Sequence, residues 1–561
     1  MMNRRIVSCV AAAALAVVTV APAASGGRGA GPPDATYQVK EMITGAQLHG
    51  ANGLAVDTAG RLLVASVWGG EIVVVDPRTG AIRDRLQDGV DGADDVAIGP
   101  DGSIYWTDIL AGEVGRRAPD GTVTKQGVAP GMNPIAFNEE GRLFVGQAFF
   151  GTGLFEVDPN LVAPPRVVIA GSGNLAEQLN GFDFGPDGKL YAPQPFLKTI
   201  LRIDPESGAS KVVAAGLPDG ATSVEFDARG KLFASLFNGQ VITVDTDSGN
   251  VRNVVTIRGA VLDNMVFDAK GRLFVSDSDA GAIYRVSKGG GVRTLVKGGL
   301  ILPGGVAVMQ RSDRSESLYV ADLWSLAEFD ARSGRVIDVD NQSRAGGGIV
   351  EPWTVAPDDG NVIVTSWMSN AVQIWDPRAN EEVHSYAFAA PMNALRFQGD
   401  LVVAELGSGS VVRMAPGGAR TTIADSTTLP PPGLFVPIGL AATNAELWVS
   451  DWATGLVWLV GEGAPQMIAS GLAHPEGMAV DRDGSLLVVE SGAGRLSRID
   501  PVTGKVSTVA EGLGMDVAGP AGIPPAYAIS SVAVDSHGTI LVSGAGAERN
   551  VIYRIRAVPV R

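Results

Sequence analysis

Asn52-Gly53-Leu54-Ala55-Val56-Asp57-Thr58-Ala59-Gly60-Arg61-Leu62-Leu63-Val64 is the stretch from which the fold can be read. Apolar residues alternate before and after Asp57-Thr58-Ala59-Gly60, with the two-residue side-chain period of a β-strand. The D-x-x-G piece between them places a glycine where a tight hairpin needs a positive φ. The same shape runs from Asn180 through Pro186-Asp187-Gly188-Lys189-Leu190-Tyr191. It recurs from Asp263 through Gly271-Arg272-Leu273-Phe274-Val275, and from Glu476 through Asp483-Gly484-Ser485-Leu486-Leu487-Val488. Twelve such units begin at Asn52, Asp94, Asn133, Asn180, Thr222, Asp263, Gly304, Glu351, Asn393, Ile438, Glu476 and Ser530. They are spaced 38 to 54 residues apart, with a mean near 43. A later turn of the type Asp76-Pro77-Arg78-Thr79-Gly80 opens a fourth strand in the unit.

Four antiparallel strands repeating at this period describe the blade of a β-propeller. Twelve blades exceed the usual four to eight of one ring. The expected fold is therefore all-β, with two tandem six-bladed β-propellers. The last unit ends at Arg561 soon after its third strand, and Thr36-Tyr37-Gln38-Val39-Lys40-Glu41-Met42-Ile43 resembles an outer strand without a blade. If each propeller begins with an outer strand, segment 36–43 completes the blade of Asp263 and segment 292–296 completes the blade of Ser530. The boundary then falls in Lys288-Gly289-Gly290-Gly291, giving propellers over 36–290 and 291–561. The alternative is that this glycine run is a hairpin turn and that the first strand closes the twelfth blade, which could make one large ring.

The first 23 residues read as a secretory signal. A basic start, Met1-Met2-Asn3-Arg4-Arg5, precedes an apolar run from Ile6 to Val20 and the small-x-small site Ala21-Pro22-Ala23. That run is short of the roughly 20 residues a membrane span needs. Residues 24–35, rich in Gly and Pro, read as a flexible leader. The expected destination is a periplasm or the extracellular space. Cys9, the one cysteine, lies within the signal, so thiol catalysis, disulfides and Cys-ligated zinc are excluded from the mature chain. The net charge of −16 argues against nucleic-acid or anionic-membrane partners, which need a positive footprint.

Leu273-Phe274-Val275-Ser276-Asp277 with Ile283-Tyr284-Arg285, and Tyr105-Trp106-Thr107-Asp108, resemble the repeats of the regucalcin/gluconolactonase-like superfamily of six-bladed propellers, related to NHL and YWTD propellers. The resemblance covers nearly all of residues 36–561 and is specific for fold rather than activity, because this fold carries hydrolases, lyases and plain binders. Asp108, Asp277, Asp322 and Asp451 follow the second strand of their blades, and their repetition points to a structural role.

In a propeller the first residue of each innermost strand points at the ring axis. Six residues about 42 positions apart in sequence therefore converge without any local motif. In the first propeller these axial residues are Asn52, Asp94, Asn133, Asn180, Thr222 and Asp263, all oxygen donors. Oxygen-only sites suit calcium or magnesium, and calcium accepts the looser geometry; zinc is a further possibility. The family pattern of ligands around the ring (acid, one skipped blade, Asn, Asn, acid) implies Asp94, Asn180, Thr222 and Asp263, with Thr222 departing from Asn and Asp94 from Glu. Asn133 is a further candidate ligand. The second propeller offers Glu351, Asn393 and Glu476, with gaps at Gly304 and Ile438. The resemblance implies that Asp263 takes a proton from water while a divalent ion polarises a lactone or ester carbonyl. Glu476 is the corresponding acid of the second ring. Of the four histidines, His49 and His474 precede axial positions and are candidate acid/base groups. His384 falls in an outer strand and His537 in a turn.

The expectation is a metal-dependent hydrolase of lactones or related esters. The alternatives are a propeller that binds a protein or glycan partner without catalysis, and a lyase acting on a cyclic ester. The last resembles virginiamycin-type lyases, which depend on His. Trp68, Phe149, Phe150, Trp324, Trp367 and Trp452 are expected in loops on one face, where they could serve a substrate or a partner.

Overall fold

The computed structural model describes residues 36–341, 348–461, 463–517 and 527–558. The expected signal and leader, with Cys9, lie outside the described residues. Among the described residues, twelve four-stranded antiparallel sheets account for all the strands. Among the described residues no helix is long and apolar enough to cross a membrane.

Blade 1 shows how the sequence produces a blade. Its strands are Leu54–Val56, Leu62–Ser66, Glu71–Val75 and Ile82–Leu86. The middle two are buried at every position, because neighbouring blades cover both faces of the sheet, and they are accordingly near-continuous apolar runs. The fourth is an edge and carries the exposed charged residues Arg83 and Asp84, which blunt it against pairing with other chains. At the first hairpin Gly60 takes φ 75°, and Asp57 Oδ1 accepts the backbone N–H groups of Ala59 and Arg61.

The chain divides into two compact units. One is Ala46–Ile301, holding blades 1 to 6. The other holds blades 7 to 12 and takes in, of the described residues, 36–45, those of Leu302–Val517 and 527–558. In the first unit the innermost strand of blade 1 packs against that of blade 6, Leu262–Phe267. In the second unit the innermost strand of blade 7, Val306–Gln310, packs against that of blade 12, Val532–Val534. Each ring thus closes after six blades.

One polar device recurs within both rings. A hydroxyl on the second strand of a blade donates to the axial carbonyl of the next blade, as Thr107 does to Asn133 (2.5 Å), Ser235 to Asp263 (2.6 Å) and Ser450 to Glu476 (2.8 Å). Ser276 makes the same bond to Asn52, 2.7 Å, and Ser543 makes it to Gly304. The bond that joins consecutive blades therefore also closes each ring.

The outer strands pair otherwise than expected. Thr36–Thr44 lies antiparallel to Asn550–Val558 and completes blade 12, not the blade of Asp263. Val292–Val296 pairs with Ala282–Val286 and completes blade 6. The glycine run between them is the hairpin: the Ser287 N–H donates to Gly291 O, and Gly290 takes φ 78°. The two units consequently meet in sequence at Ile301 and Leu302 rather than at residue 290. The short turn gives blade 6 a partner strand directly after its third strand, so no strand from the chain terminus is needed there.

Candidate functional site

The axial residues of the first ring do converge. Asn52 Nδ2 donates to Asp94 Oδ1 at 3.4 Å and to Asp263 Oδ2 at 3.3 Å, so blades 1, 2 and 6 meet in one cluster. Asp94 and Asp263 are buried. The strand register shifts at Ala93/Asp95, Met132/Ile135, Ala221/Ser223 and Leu262/Met265, where the axial residues stand. A bulge at the start of the innermost strand breaks the alternation there, so two consecutive residues can serve the channel.

Asp95 and Asn264 form the next level. Asn264 Nδ2 donates to Asp95 Oδ1 at 2.9 Å, and Asp95 also accepts the N–H of Val96 (2.8 Å) and of Ile135 in the next blade (3.2 Å). Burial pushes the Asp95 carboxyl up to about 7 against these hydrogen bonds, and the charge of Asp263 adds to the rise. Two further acids lie along the same innermost strands. Asp183 accepts N–H bonds from Phe184 (2.7 Å) and from Phe226 of the next blade (2.8 Å), and burial raises it to about 6. Glu225 accepts the N–H of Phe267 at 3.4 Å. Its carboxyl is raised well above the usual range, first by burial and then by the charges of Asp183 and Asp95.

The other expected ligands divide. The Thr222 hydroxyl bonds the carbonyl of Asp263 in the next blade at 2.9 Å and the Ser235 hydroxyl of the neighbouring strand at 2.9 Å, so it is already engaged between blades. Asn180 Oδ1 accepts the N–H of Gly181 at 2.9 Å. Asn133 holds the axial place of blade 3 and is buried. The cluster shown is thus Asn52, Asp94 and Asp263, with Asn133 and Asn180 at neighbouring axial places. No lysine or arginine stands among the four residues that begin at each of the six axial positions. Two carboxylates directed at one amide are hard oxygen donors that fit a calcium-type cation.

In the second ring the axial acids do not meet. Glu351 accepts from the hydroxyls of Ser369 and Ser366. Glu476 accepts the Ser530 N–H at 2.6 Å. Burial pushes Glu476 up to about 8, while the Ser491 hydroxyl, the Ser530 N–H and the Trp452 indole hold the rise back. Trp452 stacks on His474 with centroids 4.0 Å apart and 15° between planes. His474 takes φ 50°, and burial lowers its pKa. A Cβ at Gly492 would sit 2.8 Å from His474 Nδ1, so the imidazole needs a glycine there. Asn393, in the innermost strand Pro391–Phe397 of its blade, is half-buried.

Asp451 accepts four backbone N–H groups, from Ala453, Thr454, Phe435 and Val436, and Asp108 accepts those of Leu110 and Ala111. These repeated acids hold turns, as expected. Trp68 and Trp367 are buried rather than presented to solvent; Phe149, Phe150, Trp324 and Trp452 are half-buried. Asp95, Asp183 and Glu225 were not singled out from the sequence. The signal was available: Asp183 and Glu225 stand where blades 1, 2 and 3 carry Ala55, Ala97 and Ala136.

No protein-family profile matches the chain. No curated protein matches it. Among solved structures it is similar to virginiamycin B lyase from Staphylococcus aureus, at 16% identity over 51% of this chain and 96% of that one, with a TM-score of 0.37. It is also similar to a gluconolactonase from Xanthomonas campestris, at 17% identity over 46% of this chain and 90% of that one, TM-score 0.37. A third is the extracellular domain of a hybrid two-component system from B. thetaiotaomicron, at 12% identity over 93% of this chain and 83% of that one, TM-score 0.33. At these identities and TM-scores no activity passes from them to this chain.

Proposed function

We propose that the chain is a secreted, divalent-cation-dependent hydrolase of lactones or related esters, with its site at the axis of the first ring and calcium as the cation. The observation that supports it is the bridge from the Asn52 amide to both Asp94 and Asp263. Asp94 and Asp263, with the amide oxygens of Asn133 and Asn180 beside them, would hold the cation. The bound cation would supply Lewis-acid polarisation of the ester carbonyl.

The chain's own residues then supply the rest. Asp263 accepts a proton from the attacking water at a carboxylate oxygen as the water oxygen bonds to the carbonyl carbon. The ring C–O bond breaks, and the leaving oxygen takes the proton back from Asp263, so a lactone and water give one hydroxy acid and the carboxylate is restored. Burial holds the neighbouring Asp95 carboxyl up at about 7.

A panel of lactones and esters assayed with and without calcium tests this. Asp263→Asn and Asp94→Asn should each lower kcat/KM by about 100-fold or more and weaken calcium binding. Turnover by the wild type that survives both substitutions would overturn the assignment. The product distinguishes hydrolysis from elimination, since a lyase would leave an unsaturated acid. A binding role is favoured by one observation, the Trp452–His474 stack beside the buried Glu476 in the second ring, which offers an aromatic face to a ligand.

A further inference from the structure

We propose that Glu316, Asp535 and His537 form a site for a divalent transition metal of the zinc class, which staples the last blade of the second ring to its first. One ligand atom from each residue lies within 4.8 Å of the other two. Imidazole with two carboxylates is a donor set for zinc and its transition-metal neighbours, whereas calcium takes oxygen alone. Asp535 and His537 sit in the turn Asp535-Ser536-His537-Gly538 of blade 12, and Glu316 opens the strand Glu316–Asp322 of blade 7. The site joins the two blades at which the second ring closes, and it does not depend on the hydrolase reading.

The repeats themselves provide the control. In other blades a glycine stands at the place of Glu316, against the second residue of the preceding blade's turn. A Cβ at Gly141 would lie 3.2 Å from Pro100 Cγ, one at Gly230 would lie 3.1 Å from Pro186 Cγ, and one at Gly538 would lie 3.3 Å from Arg482 Cδ. Blade 7 has a longer hairpin and brings Glu316 to that place instead. Its Oε1 accepts the N–H of Ser536, the second residue of the blade 12 turn, at 3.0 Å. An acidic side chain therefore spans a seam that carries no side chain at the other three.

The third residue of the turn departs in the same direction. In blades 2, 4 and 11 it is Asp101, Asp187 or Asp483, each held by an arginine of the third strand: Arg116 (2.8 Å), Arg202 (2.6 Å) and Arg498 (2.8 Å). In blade 12 it is His537. The arginine in the same register, Arg554 opposite Leu541, gives its guanidinium to the carbonyl of Arg332. His537 Nδ1 lies 3.7 Å from Glu316 Oε2 and 3.2 Å from the Ser536 hydroxyl. Asp535 is buried, with its carboxylate aimed by the N–H groups of His537 (2.9 Å) and Thr539 (2.7 Å). The His537 side chain is 83% exposed, so one side of the site stays open to water.

The test uses the full chain, stripped of metal and kept in calcium to saturate oxygen-only sites, and titrates it with zinc. Equilibrium dialysis should find a zinc ion lost from His537→Ala but kept by His384→Ala. Zinc at roughly 100 times its Kd should raise the thermal midpoint of the wild type by about 5 °C. His537→Ala should abolish that rise and leave the metal-free midpoint unchanged, because an exposed imidazole packs against little. Glu316→Gln should weaken zinc binding at least about 10-fold. Equal zinc uptake by the wild type and His537→Ala would overturn the proposal, as would the absence of any uptake by the wild type at millimolar zinc.

Discussion

Asp183 and Glu225 stand in a buried strand layer where sister blades carry alanine, and each is retained with its carboxyl bonded to the innermost strand of the next blade. The Asp183 carboxyl is raised from 3.8 to about 6 in the fold. Unfolded, it ionises near 4. Between these values the folded state holds a proton that the unfolded state has lost, so its contribution is full below about pH 4 and falls as pH rises through 6. Asp183→Asn removes that dependence. Relative to the wild type the variant should gain stability as pH rises from about 4 to 7. Thermal melts at intervals across that range would read it, and parallel pH profiles for the two proteins would show the assignment of the shift to Asp183 to be mistaken. At this scale the axial residues were legible, since Asn52, Asp94 and Asp263 recur at one place in the repeat. Whether each side chain faces the axis was not. The Thr222 hydroxyl is held instead by the Ser235 hydroxyl of the neighbouring strand and the Asp263 carbonyl of the next blade, contacts that only the packed blades supply.

Thr36–Thr44 and Asn550–Val558, nine residues each, pair along nearly their whole length and tie the two ends of the described chain into one blade. Without the first strand, blade 12 would expose an unpaired edge. Removal of residues 36–44 should therefore lower the unfolding midpoint of the ring of blades 7 to 12 by at least about 5 °C and leave that of blades 1 to 6 in place. Calorimetry of the truncated chain, compared with residues 46–301 expressed alone, would identify the transition that moves. A shift in the transition of fragment 46–301 would contradict the pairing. The sequence could not choose between the two closures, because outer strands carry little information. Thr36–Thr44 and Val292–Val296 are both largely exposed, so neither shows the buried alternation that would name a partner. The choice fell to Lys288-Gly289-Gly290-Gly291, which turns the chain back onto blade 6 at once.

For the whole molecule, the two candidate metal chemistries should separate by ring. Calcium should stabilise the unit Ala46–Ile301 and lose that effect in Asp94→Asn or Asp263→Asn, while zinc should act on the other unit and lose its effect in His537→Ala. Calorimetry with each ion, on each variant, would read both, and an ion that shifts the wrong transition would reassign its site. The sequence by itself determined the blade, the count of twelve and the division into two rings. Those follow from side-chain period and turn chemistry, which act over a few residues and repeat. Only the tertiary structure decided which strand closes which ring, which axial side chains meet, and that Glu316 reaches Asp535 and His537 across a seam. Each of those brings together residues far apart in the chain, from 42 positions for Asn52 with Asp94 to 522 for Thr36 with Val558. Ring closure sets such distances, and no local pattern of residues carries them.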